Sequence, residues 1–277
     1  MRITTRNIQE FKKKGQKFAI LTAYDYQMAK LVEEADVPVI LVGDSLGQVV
    51  LGYDSTVKVT MDDMLHHTKA VVRATQRAMI IGDMPFLSYN VDDVQALNNA
   101  GRFLQEAGAQ AVKLEGGIHV AGTVKRITEA GIPVMGHIGL TPQSVHQLGG
   151  YRVQGKTSSE AHNLMEDALA LEAAGAFGIV LELIPATVAE AISRRLTIPT
   201  IGIGAGVGCD GQVQVINDML GLNTGFVPKH AKHYASLGNT IREAVIAYVS
   251  EVQAEAFPTE AESFLTEDTI VKDTQQA

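Results

Sequence analysis

The sequence predicts one closed (β/α)8 barrel, the TIM-barrel architecture, over residues 1–256, followed by an acidic tail over 257–277. Three observations predict it. Short apolar runs recur along the 277 residues, each followed by an amphipathic, helix-like stretch. Several runs are apolar at every position, as strands covered on both faces must be. Helical stretches close on Ala107-Gly108-Ala109, Ala130-Gly131 and Ala174-Gly175-Ala176, and a glycine past the last turn stops a helix. Barrels of about 250 residues fold as one domain. An open doubly wound sheet is the alternative, but its G-x-G-x-x-G loop after the first strand is missing. The nearest segment, Gly202-Ile203-Gly204-Ala205-Gly206, comes late and lacks the spacing.

The elements follow in order. A strand over 18–23 leads to a helix over 26–35, with Asp25 as its N-cap. A strand over 39–42 precedes a helix over 60–74 that carries Met61, Met64, Leu65 and Val71. Further strands are expected over 79–83, 111–114, 132–136, 178–183 and 199–203, and a less regular eighth over 213–216. The intervening helices are expected over 91–107, 117–130, 158–174 and 185–196, with one more over 240–255. Before the first strand, Lys12-Lys13-Lys14 reads as the solvated end of an opening helix. The tail carries Glu260, Glu262, Glu267, Asp268 and Asp273. It is expected to be flexible unless Phe264 and Leu265 dock it on a neighbouring subunit.

Composition narrows the function. A net charge of −8 argues against nucleic-acid or anionic-membrane partners. No run of 18 apolar residues is present, so no membrane span is expected. The first fifteen residues are polar and charged, unlike a secretory leader. The single cysteine, Cys209, forms no internal disulfide, which fits a reducing cytoplasm. It has no basic neighbour in sequence to activate it, so it is not expected to be a nucleophile.

Barrel chemistry gathers at the C-terminal ends of strands. There the sequence places Asp44, Ser45, Asp83, Lys113, Glu115, His137 and Glu182. Charges at such positions are costly unless paired or bound to metal. Asp44 and Asp83 each follow an apolar run and a glycine, and two carboxylates with open positions suit Mg²⁺ or a similar hard cation. Taken singly, each reads first as a turn or capping aspartate; two in the same strand-end context reverse that preference. Lys113 and Glu115 flank Leu114, so both face one side of a strand. They form either a local ion pair or an anion-holding lysine beside a metal-supporting glutamate. His137 is expected to close the fifth strand and contact substrate; the other histidines read as surface or capping residues. Glu182 lies in an apolar run, where burial would raise its pKa toward that of a competent base. Its alternative is an inward glutamate paired with Lys113 or an arginine. The loop 202–211 could cradle an anion or pack the rim. Together the residues point to an enzyme that combines a divalent metal with a general base.

Seven segments carry a family resemblance. They are Leu21-Thr22-Ala23-Tyr24-Asp25, Gly43-Asp44-Ser45, Gly82-Asp83-Met84-Pro85-Phe86, Lys113-Leu114-Glu115-Gly116-Gly117, residues 136–143 (GHIGLTPQ), residues 200–206 (TIGIGAG) and Cys209-Asp210-Gly211-Gln212-Val213. In this order, from about Thr4 to Tyr248, the chain closely resembles the ketopantoate hydroxymethyltransferases. The resemblance implies a barrel of the phosphoenolpyruvate/pyruvate superfamily and a homo-oligomer, a decamer of two stacked pentameric rings. It implies Mg²⁺ held by Asp44 and Asp83, with Glu115 in its water shell. It implies 3-methyl-2-oxobutanoate (α-ketoisovalerate) as substrate, contacted by Asp44, Ser45, Asp83, Lys113 and His137. Glu182 would be the general base and 5,10-methylenetetrahydrofolate the one-carbon donor, in the first step of pantothenate synthesis. Two rivals remain: a metal-dependent carbon–carbon lyase or mutase of the same superfamily, and a non-catalytic metabolite-binding barrel. The first often relies on a reactive cysteine between the fourth and fifth strands, and none is present there.

Overall fold

A computed structural model describes residues 1–223, 225 and 228–264. The tail expected to be flexible or docked falls mostly outside them, Leu265 included, while Phe264 is fully exposed. The chain opens with α1 (Thr5–Lys13) and enters β1 (Phe18–Thr22), α2 (Tyr26–Glu34), β2 (Val39–Val42), the short α3 (Leu46–Val49) and α4 (Met61–Ala74). It continues through β3 (Met79–Asp83), α5 (Asp93–Gln105), β4 (Ala111–Glu115), α6 (Ala121–Glu129), β5 (Val134–Gly139), the short α7 (Val145–Leu148) and α8 (Ser158–Ala173). It ends with β6 (Gly178–Glu182), α9 (Ala186–Arg195), β7 (Thr200–Ile203), β8 (Gly211–Gln214), the short α10 (Ile216–Met219) and α11 (Leu237–Gln253). The strands close in sequence order, every pair parallel, with β1 against β8. Among the described residues no helix is long and apolar enough to cross a membrane.

Local chemistry explains the helix starts. Asp25 Oδ1 accepts from the Met28 N–H at 2.8 Å, the predicted cap. Thr60 and Asp63 form a reciprocal capping box for α4, and Thr157 with Glu160 forms one for α8. Each of these boxes satisfies backbone donors that a first helical turn leaves orphaned.

Period-two alternation divides each strand between two cores. The outward side chains, Ile40, Val42, Ile80, Val112, Leu114 and Ile179 among them, pack under the helices. Inside the barrel, Ile20, Leu41, Met79, Ile81, Met135 and Val180 fill the lower half, with Ile8 of α1 inserted from below. Gly82 points outward, and the Phe103 ring of α5 seats directly on it, leaving no room for a Cβ. That contact fixes the backbone one residue before Asp83.

Three expectations are corrected. Strand five starts at Val134, not at 132, because Ile132 N–H bonds back to Ile127 O and finishes the α6 turn around Gly131. The pattern of eight β-then-α units fails between β7 and β8, where residues 204–210 run without a helix. Gly206 (φ +80°) lies so close to α9 that a Cβ would come within 2.5 Å of Ala186 Cβ. The segment therefore replaces a helix by lying flat on the preceding one. Lastly, Lys12 is not a solvated helix end. Its Nζ lies 2.8 Å from Asp210 Oδ2 and donates to Ser193 O at 2.7 Å, tying α1 to the lower rim.

Candidate active site

The upper interior of the barrel is polar. Asp83, Lys113, Glu115 and His137 occupy inward strand positions and are all buried, and Asp44, just past β2, joins them. The strand register sets Asp83 beside Lys113, Glu115 beside His137 and Gly139 beside Glu182. The six ionisable residues named from the sequence, with Ser45, line one cavity of ≈170 Å³.

Lys113 is the hub. Its Nζ lies 2.8 Å from Asp83 Oδ1, 3.1 Å from His137 Nδ1 and 3.9 Å from Glu115 Oε1. An ammonium only donates, so His137 Nδ1 takes the acceptor role and Nε2 carries the proton. Nε2 sits 3.1 Å from Glu182 Oε2 but off the hydrogen-bond axis. Burial first, and then the Lys113 charge, hold the His137 pKa below its usual value, so the ring is neutral at pH 7. Burial opposes the charge on Lys113, yet Asp83, Glu115 and Asp44 together outweigh it and push its pKa up.

The carboxylates outnumber that one cation. Burial, then the neighbouring Asp83 charge, push the Asp44 carboxyl up to about 8. Burial holds Glu115 well above the carboxylate range despite Lys113. The Asp44 N–H donates to Asp83 Oδ2 at 3.1 Å, so the backbone of one acid steadies the other. Glu115 Oε1 has no hydrogen-bond partner among the described residues. Hard carboxylate oxygens, an orphaned oxygen and an excess of acid over base fit a divalent cation held by Asp44 and Asp83. Among the described residues no group of three or more His, Cys, Asp or Glu side chains forms a ready-made cage. A cation here would therefore fill its shell from water and substrate oxygens.

The structure corrects two details of the expected site. His137 lies within β5 rather than closing it. Glu182 ends β6 instead of lying inside a longer run, and its side chain keeps 14% of its exposure. It stands at the cavity mouth, and no hydrogen bond commits its carboxylate among the described residues. Ser45, at the start of α3, shares a 2.9 Å hydrogen bond with the Tyr24 hydroxyl. Cys209 is buried, and burial pushes its thiol up, which disfavours the thiolate a nucleophile needs.

Other residues of the site were not singled out from the sequence. The buried Gln143 amide donates from Nε2 to Asp44 Oδ2 and to Met84 O, both at 2.9 Å. Its backbone N–H donates to Glu115 Oε2 at 3.1 Å. The Tyr89 hydroxyl donates to Gln143 Oε1 at 2.7 Å and accepts from the Glu115 N–H at 3.1 Å. One amide thus braces two of the acids, and a tyrosine fixes which way it faces. Gln143 sits in a single helical turn beyond the end of β5, where no local pattern marks it. His230, expected at the surface, lines the cavity mouth, and His67 Nδ1 lies 2.6 Å from Tyr24 O.

Comparisons with known proteins agree with this architecture. The chain is 14% identical to a phosphonopyruvate hydrolase crystallised with oxalate and Mg²⁺, with a TM-score of 0.61 over 99% of this chain and 95% of that one. A 2,3-dimethylmalate lyase of the PEP mutase/isocitrate lyase superfamily matches with a TM-score of 0.58 at 13% identity, over 100% of both chains. At these identities the likeness establishes the fold. Sequence relatives lie much nearer. A 3-methyl-2-oxobutanoate hydroxymethyltransferase of Dehalococcoides mccartyi is 62% identical over 273 residues, 99% of this chain and 98% of the relative. Relatives of the same name from Chloroflexus aurantiacus and Syntrophus aciditrophicus are 61% and 59% identical, over 93% and 95% of this chain and 91% and 97% of theirs. A profile of the ketopantoate hydroxymethyltransferases matches residues 2–260. With identity at that level over nearly its whole length, the chain belongs to the ketopantoate hydroxymethyltransferase family.

Proposed function

We propose that the protein transfers a hydroxymethyl group from 5,10-methylenetetrahydrofolate to 3-methyl-2-oxobutanoate, giving ketopantoate in the first step of pantothenate synthesis. One observation carries the reading: the uncommitted Glu182 carboxylate stands at the mouth of the small cavity that contains Asp44, Asp83 and Lys113. Asp44 and Asp83 would hold Mg²⁺, with Glu115 supporting its water shell. Bound there, the ion supplies a Lewis acid that offsets charge developing on the keto oxygen.

The chain's own residues do the rest. Lys113 meets the substrate carboxylate's charge, and Ser45 offers a hydroxyl at the cavity wall. Glu182 accepts the proton from C3 of the keto acid, leaving an enolate. C3 then forms a bond to the donor's methylene carbon, both C–N bonds of that carbon break, water's oxygen takes their place as the hydroxyl, and the two released nitrogens take up the proton from C3 and one from water. Neutral His137, with Nε2 carrying its proton, donates toward the new hydroxymethyl group. The reading includes a cytoplasmic homo-oligomer, a decamer by family resemblance. The exposed apolar stripe of Ile241, Val245, Val249 and Val252 on α11 supports contact with a second copy.

The test is exchange of the C3 proton of 3-methyl-2-oxobutanoate in heavy water, followed by NMR with and without Mg²⁺. The wild type should exchange it in a Mg²⁺-dependent way without folate, and Glu182→Gln should lose at least about 100-fold. Unchanged exchange in the variant removes Glu182 as base. No exchange by the wild type sinks the assignment.

A further inference from the structure

The lower cavity is small, and the reaction needs two substrates in contact. Above it lies a second cavity of ≈540 Å³. Gln48, Tyr151, Glu182, Asp218 and His230 line both, so Glu182 stands at the junction. The upper cavity adds Leu140 and Leu183, from the tips of β5 and β6, and the exposed Lys229 at its rim. Two leucines and a tyrosine make walls for a flat ring.

One buried charge faces this space. Asp218, on α10, is only 8% exposed. Its Oδ1 accepts from Asn223 Nδ2 at 2.5 Å, while its other oxygen makes no hydrogen bond among the described residues. A carboxylate held by one oxygen beside apolar walls selects a ligand edge with adjacent N–H donors. The amino-pyrimidinone edge of a pterin is such an edge, and its ring faces are flat and apolar.

We propose that the upper cavity is the subsite for the pteridine end of the one-carbon donor, read by Asp218, which Asn223 holds in place. Lys229 at the rim then meets the carboxylates of the donor's glutamyl tail. The inference rests on the hydroxymethyl-transfer reading. It goes further by assigning the donor's position and its polar contacts, with Glu182 between donor and keto acid.

The experiment measures two quantities on the full-length protein with Mg²⁺: C3 exchange without donor, and KM for 5,10-methylenetetrahydrofolate. Asp218→Asn should raise the donor KM about 30-fold, the loss expected for a charge-assisted hydrogen bond, a larger change than the one it makes in donor-free exchange. Lys229→Ala, at an exposed side chain, should raise the donor KM about threefold, and added salt should erase the difference. This second variant carries the test if Asp218→Asn does not fold. An unchanged donor KM in the variants, with normal exchange, overturns the subsite and leaves the reaction standing. Exchange lost together with donor affinity in Asp218→Asn also overturns it, by assigning Asp218 to the lower cavity. No exchange in the wild type overturns the reaction itself.

Discussion

In β3, Met79 and Ile81 fill the lower barrel and Asp83 the upper; in β4, Ala111 gives way to Lys113 and Glu115. In β5, Met135 is followed by His137, and in β6, Val180 by Glu182. The same backbone thus builds two interiors. The lower one is close-packed, and its charged neighbours, Lys12 and Asp210, stay at the rim and pair there. The upper one keeps several acids around one lysine, and buried atoms such as Glu115 Oε1 have no hydrogen-bond partner among the described residues. Residues below lower the free energy of the fold, whereas residues above raise it and hold groups ready for ligands.

Four experiments test that contrast. The largest effect is expected from Lys113→Met, which removes the hub of the upper layer. Turnover should fall about 10²–10³-fold. Thermal stability should drop more at pH 8 than at pH 5, where the acids it faces can take protons instead. Equal loss at both pH values would place Lys113 with the packing residues. Ile81→Ala, one step below Asp83, should cost about 2–5 kcal/mol in denaturant unfolding and leave the keto-acid KM near wild type. A large rise in that KM would mean the two layers are coupled.

A smaller effect should follow Gln143→Leu, which keeps volume but removes the brace on Asp44 and Glu115. Mg²⁺ affinity measured by calorimetry should fall about 10–100-fold; unchanged affinity would reduce Gln143 to a filler. The smallest effect concerns pH. Asp44 is raised from 3.8 to about 8 on folding, so the metal-free fold binds that proton more tightly than the unfolded chain. Its contribution to metal-free stability is full below pH 3.8 and is lost as pH climbs toward 8. Mg²⁺ must displace the proton, so its affinity should rise by at most about tenfold per pH unit and level off above 8. A flat profile would show that Asp44 is already ionised without metal.

Strand ends were legible because period two and the barrel rule act on a few residues at a time. Asp44, Asp83, Lys113, Glu115, His137 and Glu182 could each be named from local context, and they converge on one cavity. Gln143 could not, since nothing local says that an amide after a proline will reach across to Asp44, 99 positions earlier. Lys12 was misread for the same reason. Its partner Asp210 is 198 positions away, and a lysine run looks solvated until the chain closes. The glycines of 202–208 already leave no helical stretch between the last two strands, and only the general rule of a helix after every strand had to give way there.

The closure of β1 on β8 also bears on how the chain reaches its fold. Phe18 and Gly211 pair across more than two thirds of the sequence, and Lys12–Asp210 and the Ile216 N–H to Thr22 Oγ1 bond span the same seam. Contacts so distant carry the largest loop-closure cost, so the seam should zip late during synthesis and open early in native-state hydrogen exchange. The six charged and titratable groups of the upper layer all ride on β2 to β6 or just past them, strands that are consecutive and away from the seam. Transient opening between β1 and β8 would therefore leave them on the part of the barrel that stays shut.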